Sequence, residues 1–171
     1  EQDLKDIIQW GRKRKQPFSI RLVKGAYWDA EVVWAREKNW PAKVFTRKQE
    51  TDANFEKLAR LILENHQWVR FGCASHNIRS ISCVIELAKE LGVPPSALEY
   101  QILYGMAEPV RNALRSIGLP LRVYVPVGDI IPGMAYLVRR LLENTSNESF
   151  LRQSFVKGVT KKELLRNPSE L

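Results

Sequence analysis

Tyr136 stands three and four positions before two adjacent arginines, Arg139 and Arg140. On a helix, these spacings put an aromatic ring and two guanidiniums on one surface. A guanidinium fork matches a carboxylate bidentately, so the set suits a small carboxylate with an apolar body. Glu143, four residues after Arg139, is placed to restrain it. Further groups share one character: Lys24-Gly25-Ala26-Tyr27-Trp28-Asp29, Thr46-Arg47-Lys48, Ser75-His76-Asn77, Leu103-Tyr104-Gly105-Met106, and Tyr124 with Pro126-Val127-Gly128. They are rich in cations, hydroxyls and aromatics. Phosphates need cations, hydroxyls and backbone amides, and a ring system needs aromatic walls. Gly25 lets backbone approach a ligand closely. The inventory is that of a site for a large, anionic, planar ligand. It contains no paired carboxylates of the acid/base type, no Cys/His metal set and no Ser-His-Asp arrangement.

Each residue also has a plainer reading. Arg139 and Arg140 could be a solvated helix face. Tyr136 and Trp28 could be packing residues, and His76 a satisfied histidine. The Arg12-Lys13-Arg14-Lys15 run reads as a solvated loop. Arg21 is different, because it interrupts the apolar strand Ser19-Ile20-Arg21-Leu22-Val23. Burying it unpaired would cost too much, so it must meet a partner, a barrel interior or solvent.

The elements that position these residues follow a rhythm. Strands are expected at Ser19–Val23, Lys43–Phe45, Val69–Ala74, Leu98–Leu103 and Leu121–Val127. Helices are expected over Asp29–Lys38, from an N-cap at Thr51 or Asp52 to Leu63, from Asn77 or Ser80 to Leu91, over Pro109–Ile117 and over Pro132–Asn144. A first helix ends near Trp10 and is closed by Gly11; a last one lies near Thr160–Arg166. The chemistry-bearing groups fall after strand C-terminal ends, where parallel α/β folds keep their sites. The unit recurs about every 25 residues, near the ~30 of a (β/α)8 barrel, but such a barrel typically needs ~250 residues. Two architectures remain: an open doubly wound sheet, which is complete at this length, or part of a barrel. No Gly-x-Gly-x-x-Gly follows the first strand, which weakens a dinucleotide-binding open sheet.

Composition sets wider limits. The 171 residues are 44% hydrophobic, which argues against global disorder. Lys plus Arg is 27 and Asp plus Glu 19, a net charge of +8 that favours anionic partners without choosing among them. Cys73 and Cys83 lie in apolar company at no metal spacing and read as buried thiols of a reducing, cytoplasmic compartment. No apolar run approaches the ~20 residues that span a bilayer. The start, Glu1-Gln2-Asp3, is not a signal peptide; without Met and within a helix, it reads as an internal piece.

The segment Arg21-Leu22-Val23-Lys24-Gly25-Ala26-Tyr27-Trp28-Asp29 resembles a signature of proline dehydrogenases, especially the bifunctional proline utilisation A enzymes. Phe45-Thr46-Arg47-Lys48, Thr51-Asp52, Ala74-Ser75-His76-Asn77, Glu99-Tyr100-Gln101, Gly105-Met106-Ala107-Glu108, Tyr124 to Gly128 and Tyr136 to Asn144 follow in that family's order, so that the similarity runs from about Ser19 to Phe150. The resemblance implies a partial (β/α)8 TIM-like barrel of about five βα units, its fourth to eighth strands, over residues 1–150, with 151–171 as a basic, helical extension. It implies non-covalent FAD and oxidation of L-proline to Δ1-pyrroline-5-carboxylate by hydride transfer to flavin N5. Residue by residue, it puts Arg21 beside N5, and the segment from Val23 to Gly25, with Trp28, along the isoalloxazine. Thr46, Lys48, Thr51, Ser75, His76 and Asn77 would hold the ribityl, phosphate or adenosine part. Leu103, Tyr124 and Tyr136 would wall the proline ring with Tyr27 nearby, and Arg139 and Arg140 would pair with its carboxylate.

Ser75 replaces the family's usual Thr and keeps the hydroxyl; Tyr104 replaces a frequent His and Val125 a frequent Ala. The family's first three strands, with its substrate-site lysine and that lysine's carboxylate partner, have no counterpart in the sequence, so the chain alone is expected to be inactive. Family members pass electrons to membrane quinones, so that the basic surface is expected to serve lipid contact. A non-enzymatic basic module binding nucleic acid is the rival reading. It would need surface cations interleaved with exposed aromatics, whereas here the aromatics sit at strand ends.

Overall fold

The computed structural model describes residues 1–25, 27–145 and 160–170, with backbone alone at 132, 141–145 and 161. In chain order, α1 (Gln2–Arg14) and β1 (Phe18–Leu22) are followed by α2 (Trp28–Glu37), α3 (Lys48–Leu63), β2 (Val69–Ala74) and α4 (Ile78–Glu90). Then come β3 (Leu98–Leu103), α5 (Glu108–Ser116), β4 (Leu121–Tyr124), α6 (Ile130–Thr145) and α7 (Lys161–Leu164). Among the described residues the strands make one four-stranded sheet in the order β1-β2-β3-β4, all pairs parallel.

Alternation along the strands decides which face packs. In β3, Leu98, Tyr100 and Ile102 are buried, while Glu99, Gln101 and Leu103 are half-buried on the other side. Leu98 and Tyr100 join Val69, Phe71 and Cys73 of β2 in one cluster. That cluster also holds Ile8 of α1, Phe55, Ala59 and Ile62 of α3, Val84 and Leu87 of α4, and Val110 and Leu114 of α5. Helices from four positions in the chain thus cover a single face. A doubly wound sheet carries helices on both faces, whereas a barrel wall carries them only outside. The architecture is therefore a partial barrel, with four of the eight strands a closed barrel needs.

The expected strand count is corrected from five to four. Lys43-Val44-Phe45 forms no strand, and β1 pairs directly with β2 from Phe18↔Val69 to Leu22↔Cys73. Pro41 precedes the segment, and the Phe45 carbonyl accepts a hydrogen bond from Trp28 Nε1 at 2.7 Å, so its backbone serves a side chain instead of a ladder. Helix α3 begins at Lys48, not at an Asp52 cap; Arg47 is its cap residue and makes no side-chain cap bond. Strand β4 stops at Tyr124, just before Val125-Pro126, where proline lacks a donor. Gly11 does not close α1, which runs on to Arg14 and ends at Lys15 in the left-handed conformation. Gly11 instead makes room, since a Cβ there would lie 2.2 Å from the Phe18 ring.

Within the expected extension 151–171, residues 151–159 and 171 lie outside the described residues. Residues 160–170 form α7 and the 3₁₀ turn Pro168–Glu170, which packs against α3. Arg79 Nη1 donates to the Leu165 carbonyl at 3.0 Å, and Pro168 is buried.

Candidate functional site

Beyond the C-terminal end of β1 the chain opens a cleft of about 450 Å³ between α2 and α3, walled by Val23, Lys24, Gly25, Trp28, Phe45 and Thr51 among others. Gly25 sits at φ +88°, a left-handed conformation that disfavours any side chain, and a Cβ there would meet nothing within 4 Å. Backbone therefore faces open space at the mouth. The Trp28–Phe45 hydrogen bond holds the indole as part of the wall.

A half-buried ionic cluster anchors the cleft. Lys24 Nζ pairs with Asp52 and donates to Ser80 Oγ at 2.7 Å; Lys48 Nζ holds the other Asp52 oxygen at 2.7 Å. Burial drives the Lys24 ammonium below its usual range despite Asp52. Burial would push Asp52 up, but Lys24 and Lys48 outweigh it and hold the carboxyl below its usual range. Two cations share one carboxylate, leaving a local positive excess beside the cleft. Thr46 is exposed in the loop before α3 and does not line the cleft, whereas Thr51 does.

The turn after β2 sets a second group. Asn77 caps α4, its side chain accepting from Ser80 N at 3.4 Å, and Ser75 Oγ accepts from Asn77 N at 3.1 Å. His76 Nε2 lies 3.1 Å from the Leu103 amide nitrogen and accepts its proton, so Nδ1 carries the ring hydrogen. Burial, helped by the Arg140 charge, lowers the His76 pKa to about 4, so the ring is neutral at physiological pH.

The third group closes over the sheet end. Tyr124 and Tyr136 stack with centroids 5.9 Å apart and planes tilted 42°. The Arg140 guanidinium lies 5.3 Å from the Tyr136 ring, and Arg139 5.6 Å from the Tyr27 ring. Leu103 is the register partner of Tyr124. Residues distant in sequence, from the loop after β1 and from β3, β4 and α6, thus converge. Glu143, expected to restrain Arg139, has its side chain outside the described residues. Arg21 stands on the sheet face away from the helices, its Nε donating to Gln101 Oε1 at 2.7 Å.

Two networks escaped the sequence reading. The sequence marks Asp52 as a cap, Ser80 as a helix start and Lys24 as part of the flavin-lining segment, with no signal that the three meet. Glu99 and Gln101 stand two apart on one strand, as do Arg122 and Tyr124, which is the signal that each pair shares a face. Cys73 and Cys83 are free, and burial pushes their thiols up to about 12 and about 11. Among the described residues no His/Cys/Asp/Glu group could hold a metal, and no helix is long and apolar enough to cross a membrane.

A proline dehydrogenase family model matches residues 1–153. The chain is 34% identical over 169 residues to the bifunctional protein PutA of Klebsiella aerogenes, covering 95% of this chain and 13% of that protein. It is 37% identical over 146 residues to proline dehydrogenase 2 of Bacillus subtilis, covering 85% of this chain and 42% of that one. The crystal structure of proline utilization A from Bdellovibrio bacteriovorus inactivated by N-propargylglycine superposes with a TM-score of 0.96 at 49% identity, over 99% of this chain and 18% of that one. A PutA mutant from Bradyrhizobium japonicum gives 0.87 at 36% identity, over 96% and 17%. The chain thus spans about an eighth of the PutA relatives and under half of the shorter enzyme. With most of its length matched by the family model, the chain belongs to the proline dehydrogenase family.

Proposed function

We propose that the full-length protein carrying this chain is an FAD-dependent proline dehydrogenase, and that this chain supplies its flavin cleft and the carboxylate end of its substrate site. L-proline loses a hydride from C5 and a proton from its amine, giving Δ1-pyrroline-5-carboxylate. The flavin, when bound, supplies the hydride acceptor at N5.

The observation that carries the reading is the convergence of Tyr27, Tyr124, Tyr136, Arg139 and Arg140 at one end of the sheet. Aromatic faces wall the apolar ring of proline, while the paired guanidiniums draw its carboxylate. The donors also fit the cofactor. Val23, Gly25 and Trp28 bound a ring-sized cleft, Thr51 lies on its wall, and the shared-carboxylate cluster keeps Lys48 in place for phosphate. Ser75 and the Nδ1–H of His76 offer neutral donors to sugar and phosphate oxygens. Asn77 contributes mainly by capping α4, and Thr46 lies at the exposed rim. The acceptor for the flavin's electrons is a membrane quinone, with the exposed Lys13, Arg14 and Lys15 available to an anionic surface. A nucleic-acid role draws no support from the site, whose aromatics serve the strand-end cluster.

Changing Arg139 or Arg140 to Met in the full-length protein tests the substrate assignment. Losing a charge-assisted bond to the carboxylate costs about 1.5–3 kcal/mol, so KM for L-proline should rise roughly ten- to a hundred-fold while FAD stays bound. Unchanged proline kinetics in both variants would remove the assignment.

A further inference from the structure

The open face of the sheet carries a continuous polar ladder. Arg21 on β1 reaches across β2 to Gln101 on β3, its Nε donating to Gln101 Oε1 at 2.7 Å. Gln101 Nε2 donates to Glu99 Oε1 at 2.5 Å, and Glu99 takes a two-point bond from Arg122 on β4, at 2.7 and 2.8 Å. Each link fixes the next. Arg122 holds both oxygens of Glu99, with its charge and the Gln101 amide keeping the carboxyl below its usual range. The ionised carboxylate can only accept, so it dictates that Gln101 turns Nε2 toward Glu99 and Oε1 toward Arg21.

Neighbouring strands lie about 4.8 Å apart, so a β1–β3 contact spans about twice that and must pass over β2. Register places Gly72 of β2 beside both Arg21 and Glu99. A Cβ on Gly72 would stand 2.9 Å from Gln101 Nε2 and 3.3 Å from its Cδ. Gly72 has no positive φ, so what it provides is space for the glutamine to lie across the strand.

We infer that Gln101 is a positioning residue for Arg21, with Gly72 as the gap that admits it and Glu99–Arg122 as the clamp that orients it. The bond uses Nε, which fixes the guanidinium plane and leaves the terminal nitrogens as the donors that meet a ligand at the strand ends. This deepens the proposed flavin site and rests on that reading, in which Arg21 faces N5.

The test is made on the full-length flavoprotein with Gln101→Leu, Gly72→Ala, Arg21→Met and the double variant Arg21→Met/Gln101→Leu. The readouts are the midpoint potential of the bound flavin and the separate kcat and KM for L-proline. Gln101→Leu and Gly72→Ala should each lower kcat by about ten-fold with KM changed less than about two-fold, the size of one lost bond to a charged group. Both should shift the flavin potential to more negative values, in the same direction as Arg21→Met. In the Arg21→Met background, Gln101→Leu should add nothing, as expected of two residues acting through one contact. Wild-type potential and kcat in Gln101→Leu, or fully additive effects in the double variant, would overturn the inference even if Arg21→Met is impaired. A wild-type protein that binds no flavin would overturn it by a different route, taking the flavin reading with it.

Discussion

Asp52 shows how much of the site hangs on one carboxylate. It neutralises a half-buried lysine on the cleft wall and steadies a second one turn before it on α3. Removing it strands the Lys24 ammonium among Phe55 and Ser80. Asp52→Ala should destabilise the full-length protein by up to about 3 kcal/mol, the low end for a fully buried pair, because this one is half-buried. Lys24→Met combined with Asp52→Leu should recover much of that loss, because no charge is then left without its counter-ion. Denaturant midpoints of the two variants check this. Lys24, Asp52 and Ser80 were not readable as a unit, since the contacts join positions 28 and 56 residues apart. By contrast, Tyr136, Arg139 and Arg140 were readable, because helical spacing alone puts them together. His76 adds a pH dependence whose sign is fixed. Its folded pKa, about 4, lies below the ordinary 6.5. Between those values the unfolded chain binds a proton that the folded one refuses, so stability falls as pH drops from 6.5 to 4, by at most about 1.4 kcal/mol per pH unit. His76→Asn, which keeps an acceptor for the Leu103 amide but does not titrate, should flatten that slope; an unchanged slope would assign it to other groups.

At the scale of elements, what the sequence revealed was what alternation and caps encode. Strand β3 is expected at its observed bounds, with apolar and polar residues alternating from Leu98 to Ile102. Asn77 was one of two predicted caps and is the one used. The failures have equally local causes. Lys43-Val44-Phe45 has strand-forming residues, yet its backbone is claimed by Trp28, a contact that no local pattern records. Gly11 reads as a helix stop but is a packing site, because Phe18 occupies the space a side chain would need. Gly11→Ala should therefore cost about 1–3 kcal/mol through overpacking of α1 against β1, although alanine is the better helix former. A stabilised variant would show that α1 can tilt away without loss.

At the scale of the whole molecule, the sheet has two outer strands, β1 and β4, each with an unpaired side among the described residues. Apolar side chains near the end of β4 are open as well: Val127 is 96% exposed, Ile130 78% and Ile131 83%. In a closed barrel, strand edges vanish and interior layers draw side chains from alternate strands around the ring. Produced alone, this chain should bind FAD weakly or not at all, associate through its edges and show no proline turnover. Flavin absorbance and light scattering of the isolated chain check that expectation. Strand and helix pattern alone does not give the partial barrel, since βα repetition over 171 residues slightly favours an open sheet, which is complete at this length; the order of family motifs points to the barrel, and the one-sided placement of the helices decides it.

Adding L-proline without oxygen to the purified full-length protein and following its visible spectrum decides whether this chain forms half of a flavin site working on proline. The expected result is a yellow protein whose flavin absorbance bleaches in full with stoichiometric L-proline, and a much slower bleach after Arg21→Met. A protein that stays colourless after reconstitution with FAD, or a bound flavin that L-proline leaves oxidised, would contradict it.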